Sequence, residues 1–386
     1  MNTPAPGSIR AQFQTTFGRL PAVLARAPGR VEFIGNHTDY NGGAVLGVAI
    51  DRYVWAAAAP NPAGGWRLFS VGGTAVLELP SGPVTKYSGT DSWANYPLGV
   101  WRSLRDFSLP QPPGFDLLVD SNLPPGAGLS SSAALELAAA VALASLAGKT
   151  DLPPAQLAAL GRHAENHHVG VPCGILDQGT SAFGRAGHLV HIDCRGPVFS
   201  HVPFPEVAHL WIFNTREKHA LIDGLYARRH EESLAAAKAL GVALLADLTP
   251  AQLQARNGGL PSKLAKRARH IVEEQARVQE TVTALQRGDL AVVGRLLTAS
   301  HRSSQHLFEN STPALDQLVD LLEQHPAVFG ARLTGGGFGG AVMALTRDNF
   351  TEADAAQIGR SYAANHERPP EMLHLQTADG ARRIDW

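Results

Sequence analysis

The sequence predicts an α+β protein of two or three domains, and three observations carry that prediction. Its 386 residues are more than one typical domain of roughly 150 residues holds. The first half mixes short β-branched or aromatic runs with helical stretches, and no regular helix separates successive strands, which favours α+β layers over a doubly wound parallel sheet. Beyond residues 200–210 the texture turns strongly helical, so the Pro-rich stretch at 196–205 is the expected boundary between an N-terminal lobe, 1–205, and a C-terminal lobe, 206–386.

Taken in chain order, strands are expected at 43–58, 67–79, 115–121 and 188–193, and helices near 93–105, 130–147 and 154–167. The most apolar stretch, 133–148, carries Glu136 and falls short of the ~18 apolar residues that span a bilayer, so it reads as a buried helix. After a strand at 210–214, Ile271, Val278, Val282 and Leu285 fall on one face of a helix ending at Gly288. A strand, a glycine loop and a second strand come next, at 330–345.

Composition excludes several classes. Lys and Arg number 33 against 34 Asp and Glu, a net charge of -1, so no positive field gathers nucleic acid or an anionic membrane. The 39 glycines and 26 prolines stay below the roughly one-quarter share typical of low-complexity disorder. Cys173 and Cys194 form neither a zinc spacing nor a disulfide framework. Residues 1–10 have no apolar run after a basic start. The expectation is a cytoplasmic protein, a monomer or weak oligomer, without nucleic-acid or membrane partners.

Three glycine-bearing segments concentrate the chemistry. In 123–134, Leu-Pro-Pro-Gly-Ala-Gly-Leu-Ser-Ser-Ser-Ala-Ala, small residues lead into the apolar helix, whose N-terminal N–H groups and dipole suit a phosphate. It lacks the Gly-Lys-Ser/Thr of a P-loop and the third Gly of a dinucleotide fingerprint, and a Ser-capped strand-to-helix turn is the alternative. In 333–341, Leu-Thr-Gly-Gly-Gly-Phe-Gly-Gly-Ala, a glycine cluster between apolar runs points to close backbone approach to a ligand, or else to a tight hairpin. In 27–43, Arg30, Glu32, Asn36, His37, Asp39, Tyr40 and Asn41 crowd polar side chains beside strand material, which suits a polyhydroxyl ligand, with an exposed self-satisfied loop as the alternative.

In this order and spacing the three segments resemble the motifs of the galactokinase branch of the GHMP (galactose, homoserine, mevalonate, phosphomevalonate) small-molecule kinases. Further matches are Trp93-Ala-Asn-Tyr96, the stretch from Gly170 to Gln178, Asn214 to Tyr226 with Arg228 and Arg229, and Ser300-His-Arg-Ser303. The resemblance runs from about residue 11 to 346. It implies two α+β lobes with the site between them, and ATP-dependent phosphorylation of a sugar hydroxyl, the C1 hydroxyl of galactose in galactokinases. By motif position it implies that Pro124, Gly126, Gly128, Leu129, Ser130, Ser131 and Ser132 hold the ATP phosphates. Gly335 and Gly336 would help close that site, Trp93 would lie near the adenine, and Ser132 and Glu165 would attend to Mg²⁺. Arg30, Asp39, Asp177 and Tyr226 match the sugar-side positions, joined by Glu32, Asn36, His37 and Gly174.

Phosphoryl transfer needs alignment and charge stabilisation more than covalent chemistry. Asp177 is therefore the candidate to accept or orient the sugar proton, with Arg30 stabilising that carboxylate and the moving phosphoryl group; taken alone, outside this set of motifs, Asp177 reads as a helix cap and Tyr226 as a packed aromatic. Other readings are a kinase of the same family for another sugar such as N-acetylgalactosamine, a non-catalytic sugar and ATP sensor, and a metallohydrolase built on His163 and His167. The last places Glu165 one residue late for a zinc hydrolase and, in an α-helix, on nearly the opposite face from both histidines. One departure stands out. Galactokinases usually read Gly-Arg-Val-Asn-Leu-Ile-Gly-Glu-His-Thr-Asp-Tyr, and this chain has Glu32 at that Asn and Asn36 at that Glu. With Glu32 an even number of residues away on a strand, both would face one side and the acid and amide would be exchanged.

Overall fold

The computed structural model describes residues 5–80, 82, 84–124, 126–218, 222–256 and 258–385. Pro125 of the phosphate loop, residues 219–221 of the match between Asn214 and Tyr226, and residues 1–4 lie outside them. After a first helix, α1 (Pro6–Phe17), the chain forms β1 (Val23–Ile34), β2 (Ala44–Pro60), β3 (Trp66–Ser70), β4 (Leu77–Leu79), α2 (Asn95–Asp106), β5 (Phe115–Ser121), α3 (Ser131–Leu146), α4 (Pro154–Ala164), α5 (Leu176–Phe183), β6 (His188–Asp193) and β7 (Val198–Pro203). Then come β8 (Ala208–Lys218), α6 (Ile222–Ala239), α7 (Pro250–Arg256), α8 (Ser262–Gln286), α9 (Leu290–Ser303), α10 (Pro313–Glu323), β9 (Val328–Thr334), β10 (Gly339–Arg347), α11 (Glu352–Ala363), β11 (Glu371–Leu375) and β12 (Arg382–Ile384).

Two sheets result. The first runs β12-β1-β2-β5-β3-β4, with β6 on the start of β2 and β7 beyond it; the second runs β11-β8-β10-β9. Only β3 and β5 pair in parallel among the described strands. The fold class is the α+β layering expected from the sequence. Four details differ. The stretch 67–79 is two short strands joined by a turn. The Pro-rich stretch 196–205 contains β7, which pairs with β6 in the first sheet. The chain end does not stay in the second half, because β12 returns to pair with β1, Leu24 opposite Ile384. The expected helix at 154–167 keeps α geometry only to Ala164.

Helix α3 is apolar on every side and runs buried against the first sheet; Ala134, Leu137, Ala138, Ala140 and Leu143 have no exposed surface. That is how a helix without a polar face must sit. It fixes where its N-terminus, and the loop before it, meet the sheets. Two helices widen at their ends: after α4, residues Glu165–Val169 form a π turn stopped by Gly170 in the left-handed region, and after α9, Ser304–Phe308 do the same before Glu309. Such widened turns gather at functional sites. No helix among the described residues is long and apolar enough to cross a membrane.

Candidate active site

The pairing of β1 with β2 shifts register between Pro28 and Arg30 and again between Glu32 and Ile34. Irregularities of this kind re-aim side chains. Arg30 and Glu32 enter the wall of a cavity of about 420 Å³, within the ~300–1,000 Å³ usual for small-molecule sites. The loop after β1 adds Asn36, His37 and Asp39, the segment before α5 adds Cys173 and Gly174, and α5 adds Asp177. The π turn adds Glu165, α6 adds Tyr226, and the loop between β9 and β10 adds Gly335 and Gly336. Every residue expected on the sugar side thus borders one cavity.

Arg30 joins two parts of the site. Its Nε donates to Asp177 Oδ1 at 2.7 Å and its Nη2 lies 2.6 Å from the same oxygen, while Nη1 donates to the carbonyl of Gly128 at 2.7 Å. Ser130 has a left-handed backbone, φ 53°, and donates its hydroxyl to Asp177 Oδ2 at 2.5 Å. It therefore holds Asp177 instead of capping α3. The phosphate loop packs onto β1 because Gly29 has no side chain: a Cβ there would stand 2.4 Å from Leu123 Cδ2 and 2.8 Å from the Leu129 carbonyl. That carbonyl accepts the Arg30 N–H at 3.0 Å.

Asn36 is fully buried and saturated. Its Nδ2 donates to Glu32 Oε1 at 3.0 Å and to the Gly335 carbonyl at 2.8 Å, and its Oδ1 accepts from Asn310 Nδ2 at 2.8 Å and Ser304 Oγ at 3.3 Å. It lies past the end of β1, in a turn, so the contact with Glu32 comes from the bend of the chain and not from strand alternation. Glu32 Oε1 also takes Arg332 Nη2 at 2.8 Å. Both ring nitrogens of His37 are occupied, Nε2 by the Gly336 carbonyl at 3.0 Å and Nδ1 by the Tyr40 hydroxyl at 2.8 Å. A carbonyl only accepts, so Nε2 carries the hydrogen and Nδ1 accepts from Tyr40. Burial pushes His37 down to about 3, which keeps it neutral.

Asp39 has the opposite problem. Burial, reinforced by Glu32 and Asp177, pushes its carboxyl up to about 7. It fits because residue 174 is glycine, where a Cβ would lie only 1.8 Å from Asp39 Oδ2. Burial also raises the Tyr226 hydroxyl well above its ordinary range, with Asp39 adding to the effect.

On the phosphate side, Gly128 and Gly335 face each other, a Cβ at 335 standing 3.6 Å from the Gly128 carbonyl. Pro124, Gly126, Leu129, Ser131 and Ser132 lie in the loop and first turn that lead to this contact, beside the cavity wall and not in it. Trp93 is not brought to the cavity either; it packs against the main core. Ser132 hydrogen-bonds Glu165, whose carboxyl burial pushes up. Gln178 Nε2 is shared between Glu165 Oε2 at 2.6 Å and Glu136 Oε2 at 2.9 Å. Glu136 Oε1 is buried without a partner, and burial next to Glu165 raises Glu136 well above the carboxylate range. The hard oxygens of Ser132 and Glu165, beside the loop expected to hold the phosphates, suit Mg²⁺, which takes few protein ligands and completes its shell with phosphate and water. No group of three or more His, Cys, Asp or Glu placed to hold a metal ion occurs among the described residues, and the rings of His163 and His167 lie against one another at a tilt, their centroids 4.3 Å apart.

Comparison with known proteins agrees with this geometry. The model of the GHMP kinases N terminal domain matches residues 95–185, the galactokinase galactose-binding signature matches 11–60, and the GHMP kinases C terminal model matches 281–367. A galactokinase of Roseiflexus sp. (strain RS-1) is 36% identical over 384 residues, covering 98% of this chain and 97% of that one. The chain belongs to the galactokinase family. A Homo sapiens galactokinase is 37% identical over 97% of this chain and 95% of its own. The structure of Lactococcus lactis galactokinase complexed with galactose superposes with a TM-score of 0.93 at 31% identity, covering 98% and 99% of the two chains. The mevalonate kinase of Methanococcus jannaschii, at 18% identity and a TM-score of 0.66, shares the fold.

Within this galactokinase frame, sequence reasoning missed the groups that hold the site's backbone. Arg332 is fully buried and donates to the carbonyls of Glu32 and Phe33 as well as to Glu32 Oε1. Gln178, Glu136, His270 and Glu274 are also fully buried. The signal for Arg332 was its place one residue before the third glycine segment, and for Gln178 its place at the end of the matched stretch from Gly170; Glu136, His270 and Glu274 carried none.

Proposed function

We propose that this protein transfers the γ-phosphoryl group of ATP to the C1 hydroxyl of galactose, giving galactose 1-phosphate and ADP. The observation that carries this reading is the single guanidinium of Arg30, bonded at once to Asp177 on the cavity and to Gly128 of the phosphate loop. Asp177 faces the sugar hydroxyl and orients it or takes its proton, and Arg30 and Ser130 hold that carboxylate in place. The same guanidinium places positive charge where the phosphoryl group crosses. Gly126, Gly128, Leu129 and Ser130–Ser132 cradle the phosphates at the N-terminus of α3, with Gly335 and Gly336 opposite, while Glu32, His37, Asp39, Gly174 and Tyr226 shape the sugar pocket. Ser132 and Glu165 would hold Mg²⁺, which when bound neutralises phosphate charge.

The Lactococcus lactis relative is complexed with galactose, which supports galactose over N-acetylgalactosamine. Ser132, Glu165 and Asp177 are all present, which supports turnover over mere sensing. We assign the adenine to the neighbourhood of Trp93 and the lobes to 1–205 and 206–386, with β12 crossing back. Dependence on ATP and two free thiols favour a cytoplasmic setting. The test is ADP release across a panel of free sugars with Mg²⁺: galactose should give the highest kcat/KM, and a better rate with another sugar, or none with any, would overturn the assignment.

A further inference from the structure

Helix α8 reaches across from the C-terminal half and grips the loop after β1. Glu274, with no exposed surface, accepts the successive N–H groups of Gly35 and Asn36 on Oε1, each at 3.1 Å, together with the Ser300 hydroxyl at 2.6 Å. Its Oε2 accepts Arg277 Nε at 2.7 Å. One turn earlier, His270 Nε2 donates to the Asn36 carbonyl at 3.1 Å, its Nδ1 being occupied by Ser303 Oγ. The next residue after Glu274, Gln275, accepts the Ala44 N–H at 2.6 Å.

Both ends of the loop, and both the N–H and the carbonyl of Asn36, are therefore fixed by one helix. From this stretch Asn36, His37 and Asp39 project toward the cavity and the glycine loop. Hydrogen bonds to an ionised acceptor are roughly twice as strong as neutral ones and more directional. Burial opposes the charge on Glu274, but Arg277, His270, Arg332 and the Ser300 hydroxyl outweigh it and bring the carboxyl to about 2. We propose that Glu274 is a positioning residue for the sugar: it touches no substrate, and it sets the orientation of the loop carrying Asn36, His37 and Asp39 from the opposite half of the molecule. This rests on the reading of the cavity as a galactose site.

The test uses Glu274→Gln and the double change Glu274→Gln with Arg277→Gln. The single variant keeps an oxygen for the loop N–H groups but sets its amide N–H₂ against the Arg277 guanidinium, donor against donor. In the double variant the amide oxygen introduced at position 277 replaces Arg277 Nε and accepts from the amide at 274, so the loop contacts are restored with no charge buried. Galactose affinity is read by calorimetry without ATP, KM for galactose and for ATP in the coupled assay, and the folded fraction by thermal melting. Glu274→Gln should weaken galactose by about tenfold or more while KM for ATP stays within about twofold, and the double variant should recover to within about threefold. Wild-type galactose affinity in Glu274→Gln, equal losses for both substrates, or a double variant as weak as the single would each overturn the proposal. If Glu274→Gln does not fold, the double variant, which leaves no buried charge at this pair, decides by the same threefold limit. Failure of the wild type to bind galactose would instead overturn the function reading itself.

Discussion

Replacing Asp39 by Asn separates the cost of holding a carboxylate in the sugar pocket from its use there. Asp39 rises from 3.8 to about 7 because it is buried, with Glu32 and Asp177 nearby. A carboxyl raised in the folded state binds its proton more tightly there than in the unfolded chain. Its contribution to stability is therefore fully present below about pH 4 and is lost as pH climbs through about 7. At roughly 1.4 kcal/mol per unit this amounts to about 4 kcal/mol. The side chain still borders cavity water, so we halve it to about 2 kcal/mol. Asn has no proton to lose, so Asp39→Asn should be more stable than wild type at pH 8 by about 2 kcal/mol beyond any difference at pH 4, a relative gain in melting temperature of roughly 2–6 °C. Galactose hydroxyls that donate to the carboxylate pull its pKa back down, so binding at pH 7 should release about half a proton from the wild type and none from the variant. His37, held neutral with a value of about 3, does not contribute. Calorimetry in two buffers of different ionisation enthalpy measures the release, and KM for galactose should fall between pH 6 and 8 in the wild type only. Identical heats in both buffers, together with no pH-dependent stability gain in the variant, would refute this account of Asp39.

Asp177→Asn keeps shape but removes charge, so kcat should fall about 10²-fold or more with galactose binding retained; turnover within twofold of wild type would remove Asp177 from the mechanism. Ser132→Ala and Glu165→Ala should each raise the Mg²⁺ concentration needed for half-maximal rate while leaving galactose affinity nearly unchanged, as a metal titration would register. Asn36→Glu should melt several degrees lower and lose activity, because a second acceptor would face both Glu32 Oε1 and the Gly335 carbonyl in a fully buried place. The double change Glu32→Asn with Asn36→Glu should recover part of both; equal melting points for single and double would show that the two positions are not coupled.

The three motifs were readable because each is local: glycines, hydroxyls and carboxylates within about a dozen residues, joined to elements whose apolar pattern is plain. Asp177 and Glu165 could be read for the same reason. Glu274 could not, since in the run Glu-Glu-Gln-Ala-Arg at 273–277 it looks like the solvated face of an amphipathic helix, and only the approach of a loop some 240 positions earlier buries it. The exchange between Glu32 and Asn36 was legible as a substitution but not in its consequence. Asn36 has become part of the packing, tied to Gly335, Asn310 and Ser304, while Glu32 stays on the cavity wall with Arg332 behind it. The return of β12 to the first sheet went unseen because three residues, Arg-Arg-Ile, give no period to read.

The π turn after α4 makes the site sensitive to chain length in a way that side-chain chemistry does not reveal. Glu165 there contributes its carboxylate to the site and its carbonyl to the N–H groups of both Gly170 and Val171, at 2.7 and 3.2 Å. A turn bonded to the fifth residue holds one more residue than the α turn it replaces. Deleting any single residue between 166 and 169 would cut this turn to the span of an α turn, remove the bond from Gly170 N–H to the Glu165 carbonyl and change the path by which the chain leaves it. Gly174 would leave its place against Asp39, and position 177 would no longer meet Arg30. Substitutions on the outer side of this turn should be absorbed where a one-residue gap is not, so that the spacing of Glu165 from Gly174 and Asp177 is itself a functional part of the sequence.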